Sequence, residues 1–451
     1  MRNGSVTTVE TNDTIFALAS GGGRAGVAVY RLSGPAAGRA LVALAGRPLP
    51  PARRACRVRL ADAGGEPIDH GLALWFPAPA SYTGEDVGEL HLHGGPAVAA
   101  ALSAALLRLG LRPAEPGEFS RRAFSAGKLD LTQAEAIADL VAADTAAQRR
   151  QALRQMDGAL ARRYEDWRSR LLRGQAHLEA EIDFGDEDLP AGVAARARCD
   201  LAGLADEIAG HLADHRRGER MRDGLSVAIV GAPNVGKSTL LNCLAGREAA
   251  IVSANPGTTR DVIEVALDLS GYPVLVADTA GLREADESIE EEGVRRARAR
   301  AASADLRLVV FDASRRPMID AAGVALINAD AIPIINKRDA AAGAWPAAVG
   351  GQPAVPVSAL TGDGVDALLD GLAARAAKLL EGDGSPPLTR ARHRALLGET
   401  EAALRRAVDA TLPELAAEDV RVAVGALGRI TGRVDVEDML DLVFGEFCIG
   451  K

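Results

Sequence analysis

Apolar positions change their spacing along the chain, and each change marks a new region. Between about residues 14 and 120, short apolar runs (GVAVYRL, GLALWF, GELHLHG) are divided by Gly and Pro and joined by one helical stretch, PAVAAALSAALLRLG. Short runs bounded by turn residues predict strands, so residues 1–122 are expected to form an α+β domain. From about 123 the pattern lengthens into Ala, Leu, Arg and Glu rich stretches such as LTQAEAIADLVAADTAAQRRQALRQMDG. Apolar residues there recur every three or four positions, which predicts amphipathic helices over 123–223. At 224 the strand GLSVAIVG opens a third pattern, in which helices alternate with the apolar runs VLVADTAG, LRLVVFD and AIPIINKRD. Such alternation predicts a doubly wound parallel sheet over 224–383. After the polar break EGDGSPP, helical spacing resumes over 384–451. The expected architecture is multidomain, α/β plus α: an all-α domain interrupted by the parallel-sheet domain.

Composition narrows this picture. The chain has 451 residues, which favours two or three cores over one. No apolar run reaches the length of about eighteen residues needed to span a bilayer. The opening MRNGSVTTVETNDT lacks a basic segment followed by an apolar one, so the cytoplasm is the expected compartment. Cys56, Cys199, Cys243 and Cys448 stand apart from any CxxC pairing, which argues against zinc and disulfides. The first three read as ordinary small buried residues. The net charge of −9 opposes general adhesion to nucleic acid, so any RNA contact must be local.

The chemistry concentrates in the parallel-sheet region. Gly231-Ala-Pro-Asn-Val-Gly-Lys-Ser238 follows a strand and opens a helix, the context a phosphate loop requires. Its glycines let backbone N–H groups of Asn234, Val235, Gly236 and Thr239 wrap phosphates. Lys237 neutralises β and γ oxygens, and Ser238 ligates magnesium. Asp278-Thr279-Ala280-Gly281 comes after the strand VLVA, with Asp278 aimed at the water shell of magnesium and Gly281 at the γ-phosphate. Asn336, Lys337 and Asp339 form NKRD, whose aspartate accepts from N1 and the 2-amino group of guanine, a donor pair adenine lacks. Ser358, Ala359 and Leu360 would set backbone amides against the guanine O6. Four ordered signals therefore specify GTP. Between them SANPGTTRD occupies the place of a switch loop, and Thr259 is its candidate second magnesium ligand.

With those residues in view, the chain resembles the potassium-dependent tRNA modification GTPases called MnmE or TrmE. The resemblance extends to ASYTGEDVGELHLHGG, RPAEPGEFSRRAFSAGKLDLTQAEAIADL and the terminal FCIGK, and so covers essentially the whole chain. It implies a homodimer formed through the N-terminal domain, a tetrahydrofolate derivative (5,10-methylene or 5-formyl) bound there, and a heterotetramer with an FAD-bearing MnmG-type partner. The implied product is a carboxymethylaminomethyl or aminomethyl group on C5 of the wobble uridine of certain tRNAs. The potassium-binding asparagine matches Asn234, with Thr258 and the backbone near Ser253 and Asn255 completing the shell. A monovalent cation beside the β and γ phosphates supplies charge that an arginine supplies elsewhere. The water-orienting glutamate matches Glu290, nine residues beyond Gly281 in an acidic run that also holds Glu287, Glu291 and Glu292. Leu282 stands where other GTPases carry a glutamine, so that role must come from elsewhere. The folate pattern carries over to Arg31, Glu89 and Lys128, with Lys451 reaching the same ligand, while Gly88, His91 and Leu92 depart from it. Cys448 matches the terminal cysteine, either a thiol made reactive by the nearby Lys451 or a residue packing the tail.

Two other functions fit parts of the sequence. One is a ribosome-assembly or regulatory GTPase without one-carbon chemistry, and the other a folate-dependent transferase regulated by GTP. The first is opposed by the absence of a basic C-terminal RNA-binding module. The second is opposed by the absence of a clear catalytic constellation outside the GTPase region.

Overall fold

The computed structural model describes residues 13–183, 193–251, 264–278, 304–341, 344–382, 386–434, 437–445 and 447–450. The chain divides into two compact units, one of Met1–Ala138, Gln155–Ala202 and Ala402–Lys451, the other of Asp139–Arg154 and Gly203–Glu401.

In the first unit, strands β1 (Ile15–Leu18), β2 (Ala25–Ser33), β3 (Cys56–Ala61), β4 (Pro67–Phe76), β5 (Val87–Gly94) and β6 (Arg112–Pro113) form one sheet in the order β3-β4-β5-β2-β1-β6. Every neighbouring pair is antiparallel except β1 with β6. Alternation along the strands sends Tyr30, Leu32, Trp75, Leu90 and Leu92 to one face, where they meet Leu41 and Leu44 of α1 (Ala37–Ala45) and Leu102 and Leu106 of α2 (Pro96–Arg108). Gly88 belongs to that face, since a Cβ there would stand 2.9 Å from Leu41.

The rest of the first unit is helical. The long helix α6 (Ala159–Asp183) buries Tyr164, Trp167, Leu171 and Leu178 at helical spacing and packs along helix Pro413–Thr431. Helix Glu437–Gly445 brings Val443 and Phe444, with Phe447 beyond its end, onto Leu131 and Phe124, with 6.3 Å between the Phe124 and Phe444 rings. That packing fixes the C-terminal tail. Ile449 bridges to Pro116, and Gly450, at φ +102, lies so close to the Leu18 carbonyl that any Cβ would collide with it. Cys448 on this segment is exposed.

Arg122 of α3 (Glu118–Ser125) anchors a charged cluster under the sheet, its side chain only 5% exposed. It donates to Asp13 at 2.7 Å, Glu118 at 2.9 Å and Glu85 at 3.2 Å. Arg112 donates to the same Glu118 and to Asp13. Burial raises the Glu118 carboxyl, but bonds from Arg112, the Glu115 amide and Arg122 outweigh it and hold the pKa below the usual range. Arg122→Met is expected to cost about 1–3 kcal/mol, because it removes the buried guanidinium's bonds to three carboxylates while Arg112 still pairs Glu118 and Asp13. Two of the three tryptophans, Trp75 and Trp167, lie in this unit, so urea unfolding followed by fluorescence reads the loss.

In the second unit, β7 (Leu225–Val230), β8 (Glu264–Leu269), β9 (Tyr272–Asp278), β10 (Leu306–Asp312) and β11 (Ala331–Asn336) are followed by a small ribbon, β12 (Ala348–Val349) with β13 (Gln352–Pro353), and then by β14 (Val355–Pro356). The main sheet runs β14-β11-β10-β7-β9-β8 and is parallel throughout except where β8 pairs with β9. Its strands are apolar on both faces, as a sheet covered by helices requires. This unit takes in more helical sequence than 224–383 alone. Ala147 of α5 (Ala146–Met156) and Met221 of α8 (Arg217–Asp223) enter the same core as Leu267, Leu269 and Val274.

The cysteines correct the expectation of burial. Cys199 is exposed, and Cys56 and Cys243 are only partly buried. Cys199 lies on α7 (Val193–Leu212), whose buried positions Ala197, Leu201, Leu204, Ala205 and Ile208 define the opposite face. Among the described residues no helix is long and apolar enough to cross a membrane.

Candidate functional site

The carboxyl ends of the parallel strands are where an open α/β sheet binds ligands, and the phosphate loop, Asp278, the NKRD residues and Ser358, Ala359 and Leu360 gather there. β7 ends in the phosphate loop, which leads into α9 (Lys237–Ala245). Gly231, at φ +147, and Gly236, at φ +97, adopt conformations that L side chains rarely take. A Cβ on Gly236 would collide with the Asn336 amide nitrogen. Gly236→Ala is therefore expected to lower stability by about 1–3 kcal/mol through backbone strain. It should weaken nucleotide binding at least about tenfold, read by titration with fluorescent GDP, since the loop amides are displaced.

Lys237 is 8% exposed, and its ammonium donates to the carbonyls of Gly231 and Ala232, each at 3.0 Å. Burial pushes its pKa below the ordinary lysine range, with Arg315 adding to the effect and Asp278 opposing it. The Ser238 hydroxyl donates to Asp278 Oδ2 at 2.6 Å, which joins the start of α9 to the end of β9. Ser238 and Thr239 are exposed on the first turn of α9, whereas Val235 is buried in the core.

Asn336, at the end of β11 and 2% exposed, ties the two ends of the site together. Its amide nitrogen donates to the Val235 carbonyl at 2.9 Å, and its amide oxygen accepts from the Ala359 N–H at 3.0 Å. Lys337, at φ +65, donates to the carbonyl of Asn234 at 2.8 Å and to Asp312 at 2.7 Å. Asn234 is itself at φ +63, and its exposed side-chain amide bonds to no described residue. The Ser358 hydroxyl donates to Asp339 Oδ1 at 2.5 Å, while Leu360 is 79% exposed beside them.

Two residues of this site escaped the motif reading. Asp312 ends β10, is 4% exposed, and accepts from Lys337, Ser314 and its backbone N–H. Burial raises its pKa, but these bonds more than offset that and hold it below the usual range. Its place at the carboxyl end of a central parallel strand was the available signal. Arg315 donates to the Pro233 carbonyl at 2.7 Å and so grips the phosphate loop one residue before Lys337 does. Nothing in its sequence context marks it. Ser253, Asn255, Thr258, Thr259, Thr279, Ala280, Gly281 and Glu290 lie outside the described residues.

A second constellation sits on the sheet of the first unit. Arg31 on β2 and Glu89 on β5 are cross-strand partners, and Arg31 donates twice to Glu89 Oε1, at 3.1 Å and 3.0 Å. The guanidinium lies 5.2 Å from the Tyr82 ring centre and 5.8 Å from that of Phe119, within cation–π range. Glu89 Oε2 faces His91 at 3.5 Å. Of Gly88, His91 and Leu92, only His91 is on this face, since Gly88 and Leu92 belong to the core side. Lys128 is exposed, and its Cε stands 3.6 Å from where a Cβ of Gly84 would be, beside the Tyr82 loop. The tail carrying Cys448 reaches the same strands, because Ala17, the partner of Arg31, precedes the Leu18 that Gly450 touches. Lys451 lies outside the described residues.

Residues 14–128 match the family model described as GTP-binding protein TrmE N-terminus, and residues 131–448 match that of the MnmE helical domain. The tRNA modification GTPase MnmE of Paramagnetospirillum magneticum is 60% identical over 440 residues, spanning 98% of this chain and 100% of its own. The protein of the same description from Rhodospirillum rubrum is 59% identical over 459 residues, again spanning 98% and 100%. Among solved structures, Aquifex aeolicus Era bound to GDP and AlF4− is 30% identical over 40% of this chain and 66% of its own, at a TM-score of 0.25.

Proposed function

Because the chain belongs to the MnmE/TrmE family and is a GTP hydrolase acting in tRNA modification, we propose that its hydrolysis is potassium-dependent and drives one-carbon chemistry on the wobble uridine. The observation that carries this reading is the amide of Asn234. It is free of described partners, set at φ +63, and the carbonyls of Asn234 and Pro233 are held by Lys337 and Arg315. An oxygen donor so placed suits a hard cation, and Asn234, Ser253, Asn255 and Thr258 would hold the potassium ion. The ion would supply positive charge beside the β and γ phosphates. Ser238 and Asp278 present hard oxygen donors 2.6 Å apart, of the kind magnesium takes, and Ser238 with Thr259 would ligate it. Lys237 binds the phosphates, Gly281 senses the γ-phosphate, and Glu290 orients the attacking water.

In the N-terminal domain, Arg31, Glu89, Lys128 and Lys451 are the proposed holders of a tetrahydrofolate derivative, which would supply the one-carbon unit. Supporting this, Glu89 keeps Oε2 clear of Arg31, able to accept from an amino-bearing heterocycle, with Tyr82 and Phe119 as flat apolar surfaces beside it. Cys448 is the proposed reactive thiol of the tail. Val27 and Leu72, 60% and 41% exposed on the sheet face away from α1 and α2, support pairing of two N-terminal domains. An FAD-bearing partner completes the proposed complex.

The test is the GTP hydrolysis rate in potassium chloride against sodium chloride at matched ionic strength, with Asn234→Ala and Glu290→Ala alongside. A potassium requirement lost in Asn234→Ala, together with an inactive Glu290→Ala, is the expected result. Equal rates in both salts would remove the cation assignment and favour a regulatory switch.

A further inference from the structure

The outer face of α5 carries Arg149, Arg150 and Arg154, all exposed, with Leu153 between them at 37% exposure. The sequence of this helix, AAQRRQALRQM, contains no acidic residue. Its inner face is pinned to the parallel-sheet unit. Ala147 and Ala152 are buried, Gln148 donates to the Arg222 carbonyl at 2.9 Å, and Gln151 donates to that of Gly218 at 3.2 Å. The arginines therefore project from a fixed scaffold.

Several other arginines in or beside helices of this chain are ion-paired. Arg216 meets Glu219 at 2.6 Å, Arg394 meets Asp214 at 2.6 Å and Glu219 at 3.0 Å, and Arg406 meets Asp419 at 2.8 Å. Arg149, Arg150 and Arg154 form no ion pair with another described residue. The field of Arg150 reaches the Tyr272 hydroxyl, but that group is bonded to Glu381 at 2.6 Å. Arg150 and Arg154 are four apart on one helix, where like charges destabilise by a few tenths of a kcal/mol. Like charges left uncompensated on one helix face suit an anionic partner.

We propose that this face of α5 is a docking surface for the phosphate backbone of tRNA. The chain carries a net charge of −9, which repels RNA as a whole, so binding needs a local cationic patch. Three guanidinium groups on one rigid face supply it, each able to fork onto phosphate oxygens. The proposal rests on the action of this family on tRNA and is independent of the potassium and folate assignments.

The experiment titrates the full chain with tRNA from 50 to 200 mM salt, comparing it with Arg149→Gln/Arg150→Gln/Arg154→Gln and with the corresponding triple lysine variant. The glutamine variant should bind at least about tenfold more weakly at the lowest salt, with the log-log salt slope shallower by about 2 to 3. Its GTP hydrolysis without tRNA should be unchanged, and the lysine variant should keep most of the slope. An unchanged slope in the glutamine variant, or salt-independent binding by the unsubstituted chain, overturns the proposal. Normal tRNA binding by the glutamine variant with loss of modification alongside the FAD-bearing protein also overturns it and assigns the face to that protein.

Discussion

Lys237→Met should lower GTP hydrolysis by about 10²–10³, the cost of removing one preorganised donor to developing charge, without lowering the stability of the nucleotide-free protein. The second half follows from the burial of the ammonium. Lys237 is an ammonium 8% exposed, held among the described residues by the carbonyls of Gly231 and Ala232, and burial depresses its pKa. Keeping a charge there costs folding free energy that phosphate oxygens would return on binding. Methionine keeps the methylenes and drops the charge, so the melting temperature without nucleotide should hold or rise. The rise in melting temperature on adding GDP or GTP should shrink, because ligand stabilisation scales with the logarithm of concentration over Kd. A variant that melts earlier than the parent yet still gains the full shift with GDP would show that Lys237 is a structural residue.

Asp339→Asn should reverse the base preference. The aspartate offers two acceptor oxygens to the N1–H and 2-amino donors of guanine. Asparagine keeps one acceptor and turns a donor toward the 2-amino group, leaving polar groups facing each other unpaired. Sites built to bond a polar group reject its mismatch by large factors, and affinity for GDP should fall by about 10²–10⁴. Xanthine carries a carbonyl in place of the 2-amino group, which the new amide can donate to. Competition between GDP and xanthosine diphosphate for a fluorescent nucleotide measures the exchange, and an unchanged GDP preference would remove Asp339 from the base site. Ser358, which donates to Asp339 at 2.5 Å, can keep that bond to the amide oxygen and hold the side chain in place.

The two sites were legible to different degrees. The phosphate loop, NKRD and SAL could be read because each is a local string whose backbone conformation and polar groups follow from its own residues. The strands beneath them were legible for a similar reason: both faces of a parallel strand are covered, so it appears as a short continuous apolar run. Asp312 and Arg315 were not legible. A single polar residue at a strand end and an arginine in a loop take their roles from what the fold sets opposite, here Lys337 and the Pro233 carbonyl. In the N-terminal sheet, composition and spacing left Arg31 and Glu89 indistinguishable from an ordinary surface pair. Strand pairing makes them neighbours beside Tyr82 and Phe119, although Arg31 and Glu89 lie 58 residues apart in sequence.

The sequence by itself determined the class of nucleotide and the alternation that yields each sheet. These depend on local conformational preference and on periodicity, which a chain carries with it before it folds. Tertiary structure alone decided that Asn336 joins the phosphate end of the site to the base end, and that the exposed amide of Asn234 is left without a described partner. It also decided which of Gly88, His91 and Leu92 reaches the Arg31 site, and that the tail with Cys448 returns to β1. Contacts between residues far apart in sequence depend on the packing of whole layers, and no local pattern encodes which side chains that packing will bring together.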